Sequence, residues 1–311
     1  MSIFIYAIVN VAFVVLISPL FMSLIKKVKA YIQGRKGPPL FQTYYMLLKL
    51  MKKERVYSEN ASLIMRITPY VNIVCVIVAA LFVPLIYVPQ PFGGIGNIIL
   101  FLYLLVCAKF FMALAGLDAG STFGGMGSSR EMTFSAIIEP VIITIFAALS
   151  MLMKATNLFN IFSLSIQSSL FMNPEILLVS ISLFIILIVE TSRIPVDNPE
   201  THLELTMIHE AMTLEFSGSD LALMETSHAI KQTLLMAVLV NILFPFGLTA
   251  NPGIATIAVS IVMFVAKTAV LSIIVGIFES MFAKSRLFRL PNLFMIAFFF
   301  SFSTILFELL K

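Results

Sequence analysis

Eight stretches of this chain are apolar for about twenty residues at a time, near 3–25, 68–90, 95–117, 134–154, 174–192, 232–250, 254–277 and 291–309. Roughly 20 helical residues cross a hydrocarbon core of about 30 Å. In lipid, each segment must satisfy its own backbone polar groups, which leaves helices and closed barrels. Runs of this length exclude a soluble globule. They predict an all-α, polytopic membrane protein, with eight spans forming one membrane domain over residues 1–311. Pro69, Pro174 and Pro291 fall at expected helix starts, where a missing N–H costs little. The N-terminal run is longer than a signal-peptide core and lacks a small-residue cleavage site, so it reads as a retained helix.

The connections orient the spans. Four alternate loops, 26–66, 118–133, 193–231 and 279–290, hold sixteen of the twenty basic residues, and the intervening loops hold none. By the positive-inside rule the basic loops are cytoplasmic and both termini lie outside. The net charge of +4 needs no nucleic acid to explain it, because orientation and anionic lipid headgroups account for it. Within the first loop, Leu40, Tyr44, Leu47, Leu48 and Met51 recur at helical spacing, while Gln42, Lys49, Lys52 and Lys53 lie off that stripe. The pattern predicts an amphipathic helix in the cytoplasmic interface, either as a lipid anchor or as a roof over a cavity or docking surface.

Four ionisable residues fall inside spans: Lys109, Glu139, Glu190 and Lys267. A charge at mid-membrane costs at least about 2.5–3.5 kcal/mol, so such groups pair, snorkel or line a wet path. Pro140 follows Glu139 and frees a carbonyl beside it. Two readings stand: Lys–Glu pairs that lock the bundle, or a hydrated half-channel that moves protons or ions. Cys75 and Cys107 lie in apolar runs without CxxC spacing or histidine neighbours, and read as small buried residues and not as metal or cluster ligands.

Charge concentrates in the loop expected at 193–231 and just before it. Glu190, Asp197, Glu200, Glu204, Glu210, Glu215, Asp220 and Glu225 are eight of the sixteen acids, and all three histidines (His202, His209, His228) lie there. Asp197 or Asn198 followed by Pro199 and Glu200 is a helix-start signal, and Glu200 and Glu204 then share a face. Such a surface calls for a cationic partner, a proton path or a metal. The His202, His209 and Glu210 spacing does not match the i, i+4 histidine pair of helical zinc sites. The glycine-rich 116–132 lacks the preceding strand and GK(S/T) ending of a nucleotide loop; Arg130 and Glu131 read as ordering a tight cytoplasmic turn. No catalytic triad or dyad stands out. The residues alone describe an ion- or proton-handling membrane subunit without its own redox chemistry.

Three motifs carry a resemblance. ETSRIPVDNPETHLEL…EFSG at 190–218 resembles the signature of the quinone-site (H-type) membrane subunit of respiratory complex I and of the matching subunit of group 4 membrane-bound NiFe hydrogenases. GLDAGSTFGGMGSSREMTFSAIIEP at 116–140 and GRKGPPLFQTYYMLLKL at 34–50 resemble the hydrogenase branch, including the formate hydrogenlyase type. The likeness covers nearly the whole chain. It implies a subunit of the prokaryotic cytoplasmic membrane that anchors a hydrophilic electron-transfer arm and begins a proton path. By motif match that path takes Glu190, Asp197, Glu200, Glu204 and Glu215, with Glu139 in the span after the glycine loop. Lys109 and Lys267 join them because of their expected depth, and Arg193, Arg130, Glu131 and Arg35 are docking or loop-ordering candidates.

The resemblance also implies partners: hydrogenase large- and small-subunit-like proteins and iron–sulfur proteins of the arm, and antiporter-like membrane subunits. The NiFe centre and iron–sulfur clusters are expected on those partners, with no metal or cofactor on this chain. The segment between Glu204 and Glu215 is longer than in the complex I form and the first loop is shorter, which argues against a quinone headgroup site. The expected function is the membrane anchor and proton-path subunit of a complex I-like energy-converting oxidoreductase, most closely a membrane-bound NiFe hydrogenase coupled to H⁺ or Na⁺ translocation. The alternatives are the same subunit in a quinone-, methanophenazine- or sulfur-reducing complex, or a stand-alone ion transporter. The lack of an inverted repeat or of matched broken helices speaks against the transporter. A passive anchor is opposed by Lys109, Glu139 and Lys267 at depth.

Overall fold

Of the two ways apolar runs can satisfy their backbones in lipid, helix and closed barrel, this chain takes the first: the described residues of the computed structural model are mostly helical. It describes residues 3–88, 96–167, 173–198, 207–248 and 253–311. In chain order the helices are α1 (Ile3–Ile32), α2 (Gln42–Met51), α3 (Leu63–Phe82), α4 (Ile98–Asp118), α5 (Thr122–Met153), α6 (Leu158–Gln167), α7 (Pro174–Glu190), α8 (His209–Thr213), α9 (Gly218–Leu243), α10 (Ile254–Met281) and α11 (Leu290–Leu310). Seven of them, α1, α3, α4, α5, α9, α10 and α11, are long and apolar enough to cross a membrane. The other expected span, 174–192, is α7. Its 17 residues reach roughly 26 Å at 1.5 Å per residue, slightly less than the ~30 Å core. The protein is a multi-pass, all-α membrane protein.

Polar side chains set several helix starts. Ser62, Asn97 and Ser121 accept hydrogen bonds from Ile64 N, Ile99 N and Gly124 N, satisfying donors that a first turn leaves open. Asp118, at the end of α4, accepts from Ser62 N at 2.9 Å and Met65 N at 3.1 Å. It thereby caps α3 and ties the two helices end to end. Farther along the same interface, Asn72 donates to Ala108 O at 3.0 Å.

α9 is the hub of the bundle. It packs against α1, α2, α3 and α7, and every residue from Gln232 to Ile242 is buried. α11 covers α5 and α7, and α10 lies along α1. The outer faces of α10 and α11 expose Val262, Val270, Phe299 and Phe307 among others, as lipid-facing helices do.

Two local expectations are corrected. The glycine-rich stretch is not a turn from 118 to 133. α4 and α5 are joined by a short link around Ala119–Ser121, and α5 is already helical from Thr122. Gly124 and Gly127 serve close packing: a Cβ on Gly124 would lie 2.5 Å from Gly116 O, and one on Gly127 would lie 2.9 Å from both Ala211 Cβ and Ile208 O. The acidic loop is also shorter than 193–231, because residues from Gly218 onward belong to α9. Its polar N-terminal turns lie at the end of the bundle, and Gly218 (φ +54°) takes a conformation open to glycine where the backbone of Lys53 and Glu54 crowds it.

α2 forms as expected. It is tied to α1 by Ser23 and Thr43, whose hydroxyls meet at 2.6 Å, and by the Tyr44 hydroxyl, which donates to Leu16 O. Phe41, Tyr45, Leu48 and Met51 point outward and are more than half exposed.

Candidate functional site

Burying a carboxylate is costly unless cations and hydrogen bonds replace water. At the last residue of α7 that replacement is made twice. Glu190 Oε1 lies 2.6 Å from Lys109 Nζ of α4, and Oε2 lies 2.6 Å from Lys231 Nζ of α9. Glu131, from α5, stands 3.9 Å from the same Lys109. Four helices thus bring two acids and two lysines into one alternating chain, Glu131–Lys109–Glu190–Lys231.

A second network adjoins it. Arg193, 3% exposed, donates to Glu279 Oε1 at 3.0 Å and to Gln232 Oε1 at 2.6 Å. Lys29 reaches the other Glu279 oxygen at 3.7 Å. Asp197 is buried too: Lys284 lies 2.7 Å from Oδ1, while Ile208 N and His209 N donate to Oδ2 at 2.9 and 3.2 Å. Asp197 therefore caps the entry to α8 and fastens the 279–290 connection to it. Arg130 donates to Met207 O at 2.8 Å, holding the same segment against α5.

Several of these groups line a cavity of about 130 Å³ at the N-terminal end of α9, room for several waters at about 10–15 Å³ each. Its walls include Lys26, Lys109, Glu131, Arg193, Lys231 and the pairs His209/His228 and Glu210/Glu225, with Met46 of α2 contributing to the lining. α2 therefore roofs the cavity while exposing its other face. A smaller space bounded by Lys109, Glu131, Ser135, Glu190 and Asp197 shares Lys109 and Glu131 with it and reaches Phe294 of α11. The His209 and His228 rings lie 5.0 Å apart. Burial lowers the pKa of His209, so it stays neutral at physiological pH. Burial, then the neighbouring Glu225 and Asp197, push the Glu210 carboxyl up to about 7.

Not every expected residue comes to this place. Lys109, Glu190, Arg193, Asp197 and Glu131 do. Glu139 lies half-buried two turns farther along α5 from Glu131, with no ion pair among the described residues. Glu215 is half-buried between α8 and α9. Arg35 is exposed in the connection after α1. Lys267 sits apart from the cluster, and its ammonium bonds Phe244 O and Phe246 O at 2.7 and 2.6 Å, just beyond the C-terminus of α9. Glu200 and Glu204, with His202 and the helix start expected at 197–200, fall on or run into residues 199–206, outside the described residues. Among the described residues no group of three or more His, Cys, Asp or Glu could hold a metal ion; Cys75 and Cys107 are free thiols on α3 and α4.

Sequence reasoning missed Glu279, Gln232 and Lys284 as partners. Glu279 ends an apolar run and could have been flagged as a buried acid, but nothing local pairs it with Arg193. Glu210 is read from the sequence only as one acid of the charged stretch and as a poor metal ligand, and nothing local sets it apart from its neighbours.

Residues 5–309 match the family described as NADH dehydrogenase. The chain belongs to that family. Within it, the chain is 30% identical to hydrogenase-4 component C of Escherichia coli over 91% of its length and 88% of the relative's. It is 26% identical to formate hydrogenlyase subunit 4 of the same organism, over 96% of both chains. The fold is also that of a chain in the membrane-bound sulfane sulfur reductase, an archaeal respiratory membrane complex, with a TM-score of 0.79 at 19% identity, covering 98% of this chain and 100% of that one. The relatives of this family member are thus subunits of complex I-like energy-converting complexes.

Proposed function

We propose that the chain is the membrane subunit of a complex I-like energy-converting oxidoreductase of the hydrogenase type, and that its buried charge cluster couples electron transfer in a peripheral arm to ion translocation. One observation carries this reading: the Glu131–Lys109–Glu190–Lys231 chain lies against a cavity large enough for water. A purely structural pairing has no need of adjoining wet space, whereas a proton or ion path does. The identity to hydrogenase-4 component C and formate hydrogenlyase subunit 4 over most of the chain supports the hydrogenase type.

In this reading the cluster end faces the cytoplasm, in line with the basic connections around it. The arm docks over α2, α8 and the 279–290 connection, and brings the NiFe centre and iron–sulfur clusters. Antiporter-like membrane subunits flank the bundle. Asp197, Arg130 and Arg193 order the docking segment, while Glu139, Glu190 and Glu215, with Glu200 and Glu204, take part in the ion path. Lys267, set apart at the other end of α9, is left out of it.

Purification in mild detergent tests the reading. The expected result is a multi-subunit assembly containing nickel, iron and acid-labile sulfide. Iron and sulfide without nickel would assign the chain to a related sulfur- or quinone-reducing complex. A lone chain that transports ions by itself would reject the proposal.

A further inference from the structure

The carboxylates around the cavity are not equivalent. Glu190 has a lysine 2.6 Å from each of its oxygens, and Asp197 accepts from Lys284 and from three backbone N–H groups. Both are solvated by the protein as fixed anions, and neutralising either strands its cations. Glu210 is built differently. Its carboxylate receives one long hydrogen bond, from Thr213 Oγ1 at 3.4 Å, and no cation stands within ion-pair distance among the described residues. It lines the cavity together with Glu225 of α9, so two carboxylates face one small space with room for water.

We propose that Glu210 is the carboxyl at this cavity that takes up and releases a proton, with Glu225 as its facing acid and the lysine-paired Glu190 as a charged counter-ion along the path. This rests on the ion-coupling role proposed above and names the group that switches.

The surroundings fit a group poised between its two states. From α1, Lys26 lines the cavity; from the 191–198 segment, Arg193 lines it and Asp197 lies close by; from α4 and α5 come Lys109 and Glu131; from α9 come Glu225, His228 and Lys231; and His209 is the neighbour of Glu210 on α8. The cations are mostly engaged elsewhere: Lys109 and Lys231 with Glu190, and Arg193 with Glu279 and Gln232. Arg193 nevertheless leaves its buried Nε–H without a partner among the described residues, a donor available to water in the cavity it lines. Lys26, which has no ion pair among the described residues, favours the charged form of Glu210 and opposes burial and the facing acids; adding or removing one proton there breaks no ion pair. Burial and the facing acids place that change near neutral pH. The His209–His228 ring pair, 5.0 Å apart, completes the polar wall beside it.

The test is infrared difference spectroscopy of the purified complex in detergent, with pH titrated across neutrality. The readout is the C=O stretch of a protonated carboxylic acid. Wild type should show such a band, lost as pH rises through about 7. Glu210→Gln should remove the component that titrates there, and Glu225→Gln should keep it but move its midpoint to lower pH, since one facing negative charge is gone. Recovery of both variants in the assembled complex controls for folding. A near-neutral band that survives unchanged in E210Q overturns the proposal, as does a band that does not move in E225Q. Proton uptake driven by electron transfer is measured on the same samples. If the band behaves as expected but no variant, nor wild type, couples uptake to electron transfer, the assignment of Glu210 stands and the coupling function proposed for the chain falls.

Discussion

The Glu190 carboxylate meets the Lys109 ammonium at 2.6 Å, although 81 residues separate them in sequence. Lys231 binds the opposite oxygen at the same distance, so the three side chains form a buried triad across α4, α7 and α9. Breaking a buried pair by removing one partner typically costs about 3–5 kcal/mol, because the other charge is stranded. Glu190→Gln strands two lysines, with only Glu131, 3.9 Å from Lys109, to offset them. Lys109→Met leaves the Glu190–Lys231 pair intact. The expected order of unfolding stability in detergent is therefore wild type, then K109M, then E190Q, with E190Q lower by about 3–5 kcal/mol. Equal losses in the two variants would show that Lys231 does not hold Glu190 by itself.

The glycines of α5 make a sharper contrast. Gly125 has nothing within 4 Å of the place a Cβ would occupy, whereas at Gly127 the Cβ would come within 2.9 Å of Ala211 Cβ and of Ile208 O. Glycine inside a helix costs about 0.5–1 kcal/mol relative to alanine. Gly125→Ala should therefore raise stability slightly, while Gly127→Ala should lower it by about 1–3 kcal/mol through overpacking. Thermal melts of the two variants side by side decide this. A gain in both would mean that α8 does not press on α5 as described.

These two cases mark what was legible in the sequence. The long spans were readable because hydropathy over twenty residues is a property of each segment alone; α7, α10 and α11 begin within a residue of expectation. Gly124 and Gly127 were misread as turn residues because their low helix propensity is a local signal. Their reason for being there is the contact with Gly116 and α8, which sequence does not display. The start of α9 was hidden for a similar cause: Asp220, Glu225, His228 and Lys231 make a span look like a loop, yet Asp220 is buried and the other three line the cavity. Lys109, Glu139 and Glu190 could be singled out as charges at depth. Which partner each would find, and that Lys267 would reach backbone carbonyls instead of an acid, depended on helix packing across tens of residues.

Lys267 gives a third expectation. Its ammonium bonds the Phe244 and Phe246 carbonyls, an arrangement that stabilises the end of α9. Lys267→Met should lower stability by about 1–3 kcal/mol, the range for hydrogen bonds to charged groups, and leave redox-driven ion movement per electron unchanged. A loss of coupling in K267M at normal assembly would return this residue to the path.

Stability should also depend on pH through Glu210. Its pKa is raised in the folded protein, from 4.5 to about 7, so between those values the folded state holds a proton that the unfolded state has lost. By linkage, stability falls as pH rises through that window. Gln, which carries no ionisable proton, removes this loss. Glu210→Gln should melt like wild type at about pH 4.5 and a few degrees above it at pH values beyond about 7. The reverse order would mean that the carboxylate is stabilised in its charged form.

The central claim is that the charge cluster couples electron transfer to ion movement, and the most direct measurement is ions translocated per electron pair by the purified complex in sealed proteoliposomes. Glu139→Gln is the informative variant: the proposed path runs from the cluster along α5 through Glu139, two turns from Glu131, and Glu139 has no ion pair among the described residues, so its loss tests the path without unpairing a buried charge. The account expects the E139Q complex to assemble with its full subunit and metal content and to transfer electrons, with translocation several-fold lower or absent. An E139Q complex that translocates as many ions per electron pair as wild type would contradict it.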